Sequence, residues 1–174
     1  MISRLTYRSR QFWNALLSPH KHVTSGIALD NLSPTQLSLF QRMQPAEQAH
    51  AYQIFNRLTA AGHANSDLLV AALLHDAGKI LHPLSAFDRV VIVLGRHLFR
   101  ETARRWGDGP IRGLRRPFVV AARHAEWGAD LASQAGAAPV TVDLIRRHHD
   151  PHLTNPSSTF ERILATLQEA DDES

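Results

Sequence analysis

The sequence contains no cysteine among its 174 residues. Disulfide bonds, thiolate metal sites and cysteine nucleophiles are therefore excluded. A chain without disulfides is compatible with the reducing cytoplasm, where we expect this protein to be located.

Lysine and long apolar runs are also scarce. Lys21 and Lys79 are the two lysines among 19 basic residues. Apolar runs such as Val90 to Leu94 are far shorter than the roughly 20 residues that cross a bilayer. We recognise no secretory signal. Residues 1–17 form a basic amphipathic stretch that could mimic a transit peptide, but a first helix docked on the core is the simpler interpretation.

Arginine is concentrated in one part of the chain. Nine arginines lie between Arg89 and Arg123, where the acidic residues are Glu101 and Asp108. Such a basic stretch suits an anionic substrate, a nucleic acid or a membrane surface, and it equally suits a solvated helix face. The sequence leaves these alternatives open.

The hydrophobic pattern is helical almost throughout. Apolar residues recur at three- and four-residue spacing, and no run alternates as a strand would, so we predict an all-α fold. Capping signals predict that one helix begins at Ser33 and Pro34, and that Asn65 or Ser66 begins another that stops at Gly78. Further helices are predicted over about 45–61, 85–106, 117–134, 139–149 and 157–172. We expect Val90, Val91, Val93 and Leu94 to pack on the core or on a partner subunit.

Two acidic residues and several of the eleven histidines occupy positions that face inward on these helices. For example, His50 continues the apolar stripe of Ile54 and Leu58, and Asp171 extends the stripe of the last helix. A glycine one turn after His124 lets another backbone come close. The polar residues found in this way are His50, Asp76, His124, His148, His149 and Asp171, and His75 stands next to Asp76 near the end of the same helix.

This set favours a metal site over a series of unrelated core residues. A buried carboxylate is costly unless it is paired or bound to a metal. Neutral imidazole and carboxylate suit a divalent ion, and we expect one or two ions of Mn, Fe, Mg, Zn or Ni. Whether the histidines of the later helices converge on the first site cannot be derived from spacing.

The run from His75 through Asp76 and Gly78 to Lys79 resembles the HD superfamily of metal-dependent phosphohydrolases, in its branch with an HD-x-G-K signature. The resemblance extends over about residues 45–172. It implies an HD-domain helical bundle, with His50, His75, Asp76 and Asp171 as the core metal ligands. It further implies that His124, His148 and His149 supply a second metal.

The resemblance implies an enzyme that cleaves a phosphate ester of a small molecule, such as a nucleotide, with a metal-activated water. Asp76, Lys79 and His124 are the candidate catalytic residues. Lys79 also suits a non-bridging phosphate oxygen as a compact point charge. Arg100 and Arg104 are candidates for gripping the phosphate.

Three departures from the family pattern narrow this interpretation. After His149 the chain lacks the GYP-containing stretch of the cyclic-di-GMP phosphodiesterases, which argues against that substrate. Ala46, one turn before His50, stands where a third metal would need a carboxylate. Extra chain at about 82–116 is predicted to form an arginine-rich helical insertion. We predict that the HD domain consists of residues 45–174 and that residues 1–44 form N-terminal helices packed on its core.

Two other functions remain open at this stage. The chain could be a catalytically weak regulatory module that senses a nucleotide. It could also be an adaptor whose arginine-rich segment contacts nucleic acid or a membrane. A homodimer is a further open alternative.

Overall fold

A computed structural model describes residue 26 and residues 30–174. The described residues contain eight α-helices and no strand, so the predicted all-α fold is confirmed. The predicted helix within residues 1–17 lies outside the described residues. In chain order the helices are α1 (Pro34–Gln41), α2 (Pro45–Ala60), α3 (Ser66–Leu74), α4 (Ala86–Leu98), α5 (Arg100–Gly107), α6 (Arg116–Gln134), α7 (Pro139–Arg147) and α8 (Thr159–Asp172).

Local capping chemistry sets several helix boundaries as predicted. The Ser33 side chain caps α1 together with Gln36 in a reciprocal capping box, and Pro34 takes the first turn. The side chain of Asn65 accepts a hydrogen bond from the Leu68 amide and so begins α3. Gly62, with a φ of +85°, follows the end of α2.

Helix α3 is the central element of the core. All residues from Leu68 to Leu74 are buried, and α3 contacts α1, α2, α7 and α8. Because α3 is surrounded in this way, the residues that follow its C-terminal end lie inside the bundle. His75 and Asp76 are both buried there.

The end of α3 differs from the prediction. The helix stops at Leu74 instead of continuing to Ala77, and Asp76 takes the bridge conformation (φ −93°, ψ 3°). Residues Ala77–Ile80 form a 3₁₀ turn that packs closely on α6. Asp76 and Lys79 are therefore presented from a turn and not from a regular α-helix.

The arginine-rich segment also differs from the prediction, because it forms two helices instead of one. Phe99 (φ −136°, ψ 49°) separates α4 from α5. Gly95 of α4 lies against the Phe118 ring, and Gly107 of α5 lies against Ala122, so the bend allows both helices to contact α6. An ion pair between Arg89 and the buried Glu47 also ties α4 to α2.

The apolar run in α4 is only partly packed. Val90 and Val91 are half-buried, whereas Val93 and Leu94 are exposed. Val93 and Leu94 therefore do not pack on the core, because α4 presents Ile92 and Gly95 to α6 instead, and their packing on a partner subunit stays a prediction. None of the described helices combines the length and apolar character that a membrane span needs.

Candidate metal centre

All seven side chains predicted to bind metal come together in the bundle, in a cluster that reaches from its interior to the surface at His149. Their ligand atoms form three overlapping groups, within each of which the atoms lie no more than 4.8 Å apart. The groups share His75 and His148, so they form one continuous cluster. The groups are His50, His75 and Asp76; His75, His148 and Asp171; and His124, His148 and His149.

One side of the cluster joins the first and last helices of the site. His50 on α2 contacts Asp171 on α8, with 2.9 Å between Nε2 and Oδ1. The Nε2 atom of His75 lies 3.9 Å from that same Oδ1 and 3.5 Å from Oδ2 of Asp76. Two carboxylates and two imidazoles from three parts of the chain thus surround a single small volume.

Three histidines are fixed by the same backbone interaction. The Nδ1–H groups of His75, His124 and His148 donate to carbonyl oxygens three or four residues earlier, at 3.0, 3.0 and 2.7 Å. The accepting carbonyls are those of Ala72, Val120 and Ile145. Because a carbonyl can only accept, each neutral ring must carry its proton on Nδ1 and present a lone pair at Nε2. This is the arrangement by which proteins orient histidines toward a metal.

The Nε2 lone pairs of these rings are suited to bind a cation. Nε2 of His75 and Nε2 of His148 are buried and have no hydrogen-bond partner among the described residues. Nε2 of His124 lies 3.3 Å from Oδ1 of Asp76 and 3.1 Å from Nε2 of His149. A neutral His149 can donate its Nε2–H to His124, but the lone pair of His124 and the carboxylate of Asp76 repel, and a divalent ion would relieve that repulsion.

The electrostatics favour deprotonated ligands. Burial acts to raise the pKa of Asp76, but its surroundings, foremost the charge of Lys79, outweigh burial and hold that pKa well below its usual range. Burial likewise opposes ionisation of Asp171, yet its hydrogen bond with His50 lowers its pKa. Burial lowers the pKa of His75, which keeps that imidazole neutral. Metal ligation requires these same protonation states.

Lys79 is oriented by the turn that carries it. Its Nζ lies 2.7 Å from Oδ2 of Asp76, and its side chain is only partly buried. A helix-terminal lysine that merely faced solvent would not make this contact. The ammonium group is therefore held beside the cluster, where it can also reach an anionic ligand.

The two arginines predicted to bind substrate lie elsewhere. Arg100 and Arg104 are exposed on α5, and Arg104 pairs with Glu101 at 3.1 Å. Among the described residues, neither arginine makes a hydrogen bond or ion pair with a residue of the cluster. Their contact with a phosphate remains a prediction.

Glu47 is a residue that the sequence reasoning missed. It precedes His50 by three residues, which places both on one face of α2, next to the Ala46 position of the family's further carboxylate. Glu47 is buried, its Oε1 pairs with Arg89, and no residue in the described part of the chain bonds to its Oε2. The signal available in the sequence was the (i, i+3) spacing to His50.

Comparisons with known proteins identify one family. A family model described as HD domain matches residues 48–172, which is most of the chain and includes all seven residues of the cluster. No curated protein and no solved structure matched the chain.

Proposed function

Because the chain belongs to the HD domain family of metal-dependent phosphohydrolases, we propose that it hydrolyses a phosphate ester of a small molecule. A nucleotide is the leading substrate class. One observation carries the proposal: three backbone-anchored imidazoles direct Nε2 lone pairs toward a volume bordered by the carboxylate of Asp76. A site for a structural proton network would not leave two of these buried nitrogens without partners.

Two sets of ligands are proposed. His50, His75, Asp76 and Asp171 would hold one divalent ion, and His124, His148 and His149 would hold a second. When bound, such ions polarise a phosphoryl oxygen and lower the pKa of a coordinated water toward neutrality. Asp76 contacts both sets through its two oxygens, which lie near His75 and His124 respectively. Asp76 would therefore contribute a ligand oxygen to either set.

The remaining chemistry is assigned to the chain's own side chains. Lys79 is proposed to bind a non-bridging phosphate oxygen, since its ammonium group is already fixed beside Asp76. His124 is proposed to be a catalytic residue as well as a metal ligand, because its Nε2 lone pair faces Asp76 inside the cluster. His149 is the most exposed histidine of the cluster, so it borders the path by which a substrate would enter. Arg100 and Arg104 remain proposed phosphate contacts of the incoming substrate.

We also propose a division of the chain. Residues 45–174 would form the HD domain, residues 82–116 an insertion in it, and residues 1–44 a segment packed on its core. The described end of that segment supports this division, because Leu39, Phe40 and Met43 belong to the main hydrophobic core.

Phosphate release from a panel of nucleotides and sugar phosphates tests the function. The protein would be loaded with Mn²⁺, Fe²⁺ or Zn²⁺ and compared with Lys79→Met. We expect turnover by the native protein and a loss of about 100-fold in kcat in the variant, with metal retained, because a charge that stabilises the transition state is removed. Arg162→Met is the matched control, since Arg162 is exposed on α8 and bonds locally to Ser157 and Thr159.

The alternative of a sensing module has a different outcome. A nucleotide that raised the melting temperature of the metal-loaded protein, without any phosphate release, would identify binding without turnover. That result would contradict the proposed enzymatic function while leaving the metal site intact.

A further inference from the structure

Exposed apolar side chains are concentrated in the segment between the HD motif and α6. Seven of the nine large hydrophobic residues that are exposed in the described chain lie between Leu81 and Leu114, with exposures of 46% to 72%. Scattered single apolar residues are normal on a surface, but a cluster of this kind marks a contact surface. The metal centre does not account for it, because none of these residues is a candidate ligand.

Helix α4 arranges part of this cluster into a stripe. Phe87, Leu94 and Leu98 are separated by seven and four residues, so they lie along one line of the helix, and all three are exposed. Ile92 and Gly95 face the other way, where Gly95 meets the Phe118 ring of α6. The helix therefore has one apolar side that the core uses and a second apolar side that no described residue covers.

Positive charge accompanies the apolar stripe. Residues 81–123 contain nine arginines and three acidic residues (Asp88, Glu101 and Asp108), although the whole chain carries a formal charge of only +3. Six of these arginines are exposed and make no ion pair within the described residues: Arg96, Arg100, Arg105, Arg112, Arg115 and Arg123. Leu98, Phe99 and Arg100 are consecutive exposed residues where α4 meets α5.

We call the exposed apolar and arginine side chains of residues 81–123 the basic apolar face. We propose that the basic apolar face docks on an anionic membrane surface. Apolar side chains that enter the boundary between headgroups and acyl chains, next to arginines that meet anionic headgroups, are the two attractions that hold peripheral helices on bilayers. The contact is a surface contact, since no described helix is suited to span a membrane.

Charge argues against the other occupants of this face. A second copy of the chain in a two-fold dimer would bring the same arginines together, and like charges in an interface repel. Residues 1–29 contain four basic residues and no acidic residue, so they also lack complementary charge. A nucleic acid would match the arginines, but its phosphate backbone gives no partner to the exposed Phe87, Leu94 and Leu98.

Vesicle sedimentation tests the proposal on the full chain without added metal. The native protein should sediment with phosphatidylcholine vesicles that contain phosphatidylglycerol, should bind pure phosphatidylcholine weakly, and should be released by salt. Leu94→Glu and Leu98→Glu should each abolish most of the binding. Arg105→Gln should weaken it about fivefold, the loss expected for one arginine near an anionic surface. Leu153→Glu, at an exposed leucine outside the face, should bind as the native protein does.

Three results would overturn the proposal. The first is an absence of binding to anionic vesicles at low salt. The second is vesicle binding that Leu94→Glu and Leu98→Glu leave unchanged, which would assign the membrane contact to another part of the chain. The third is a dimer in sedimentation velocity that Leu94→Glu dissociates, with no vesicle binding, which would identify the face as a subunit interface. Circular dichroism of each variant shows whether it is folded, and two independent glutamate variants guard against the failure of one.

Discussion

The contact between the turn of residues 77–80 and α6 leads to a quantitative prediction for Gly78→Ala. A Cβ atom on Gly78 would lie 2.0 Å from the carbonyl oxygen of His124 and 2.6 Å from the amide nitrogen of Gly128. Ordinary contacts of a Cβ atom begin near 3.4 Å. The turn and α6 would therefore have to separate by 1.4 Å, the difference between 3.4 Å and 2.0 Å. Both partners are backbone, so no side-chain rotation can relieve the clash.

The energetic consequence follows from this displacement. Overpacking a rigid site costs about 1–3 kcal/mol, and a backbone clash of this depth belongs at or above the top of that range. The φ of Gly78 is not positive, so backbone strain adds nothing to this cost. The same separation would lengthen the 3.3 Å distance between Asp76 and His124 across the metal centre. We therefore expect Gly78→Ala to lose about 3 kcal/mol in free energy of unfolding and most of its bound metal.

Urea unfolding of the metal-free protein, followed by circular dichroism, and elemental analysis after metal loading measure the two effects. Gly128→Ala should destabilise the protein less than Gly78→Ala does. Its Cβ would meet the Gly78 nitrogen at 3.1 Å and the His75 carbonyl oxygen at 3.3 Å, and small shifts can relieve these contacts. Gly136→Ala, with open space and a φ of +77°, should lose about 1 kcal/mol through backbone strain alone and keep its metal. Native stability and full metal content in Gly78→Ala would refute the reasoning.

Two further perturbations have expected outcomes. Arg89→Met should destabilise the protein by up to about 3 kcal/mol because it leaves the buried Glu47 carboxylate uncompensated, whereas Glu47→Gln should cost less since Arg89 can turn toward solvent. Chemical denaturation of both variants measures this asymmetry, and equal losses would contradict it. The pKa values of His75 and His148 are lowered by burial, so the unfolded chain binds protons at a higher pH than the folded one. The metal-free protein should therefore be fully stable above about pH 6.5 and lose up to about 1.4 kcal/mol per histidine for each pH unit below it. A urea midpoint that stays constant between about pH 7.5 and pH 5 would contradict this expectation.

Much of the fold was predictable because local chemistry determines it. Ser33 and Asn65 have side chains that can cap a helix, and each caps the helix that follows. The three- and four-residue apolar spacing predicted α-helices and no strands, and the described residues contain helices, turns and loops but no strand. These features depend on neighbouring residues, so the sequence alone is enough to predict them.

Tertiary contacts decide the features that could not be predicted. The break between α4 and α5 falls at Phe99, where the sequence has no proline or glycine to indicate it. The bend occurs because it lets both helices pack on α6. The early end of α3 at Leu74 has a similar origin, since the turn around Gly78 must fit within contact distance of α6. Helical periodicity carries no information on such long-range packing.

The candidate site was partly predictable for the same reason. Helix faces indicated which imidazoles and carboxylates point inward, but only the packing of α2, α6, α7 and α8 around the end of α3 brings them together. Glu47 was missed because its partner, Arg89, lies 42 residues away on another helix. The anchoring of three Nδ1 atoms by backbone carbonyls was also not evident, because it depends on rotamers at the ends of helices.

The most direct test of the metal centre is elemental analysis of the native protein beside Asp76→Asn, purified in the same way and incubated with Mn²⁺ or Fe²⁺. Asp130→Asn is the control, since Asp130 is an exposed carboxylate whose arginine partner, Arg146, lies at the surface. The proposed centre predicts about one or two equivalents of metal in the native protein and the control, and a large loss in Asp76→Asn. Native protein that retains no metal after incubation, or Asp76→Asn that retains as much as the control, would contradict it.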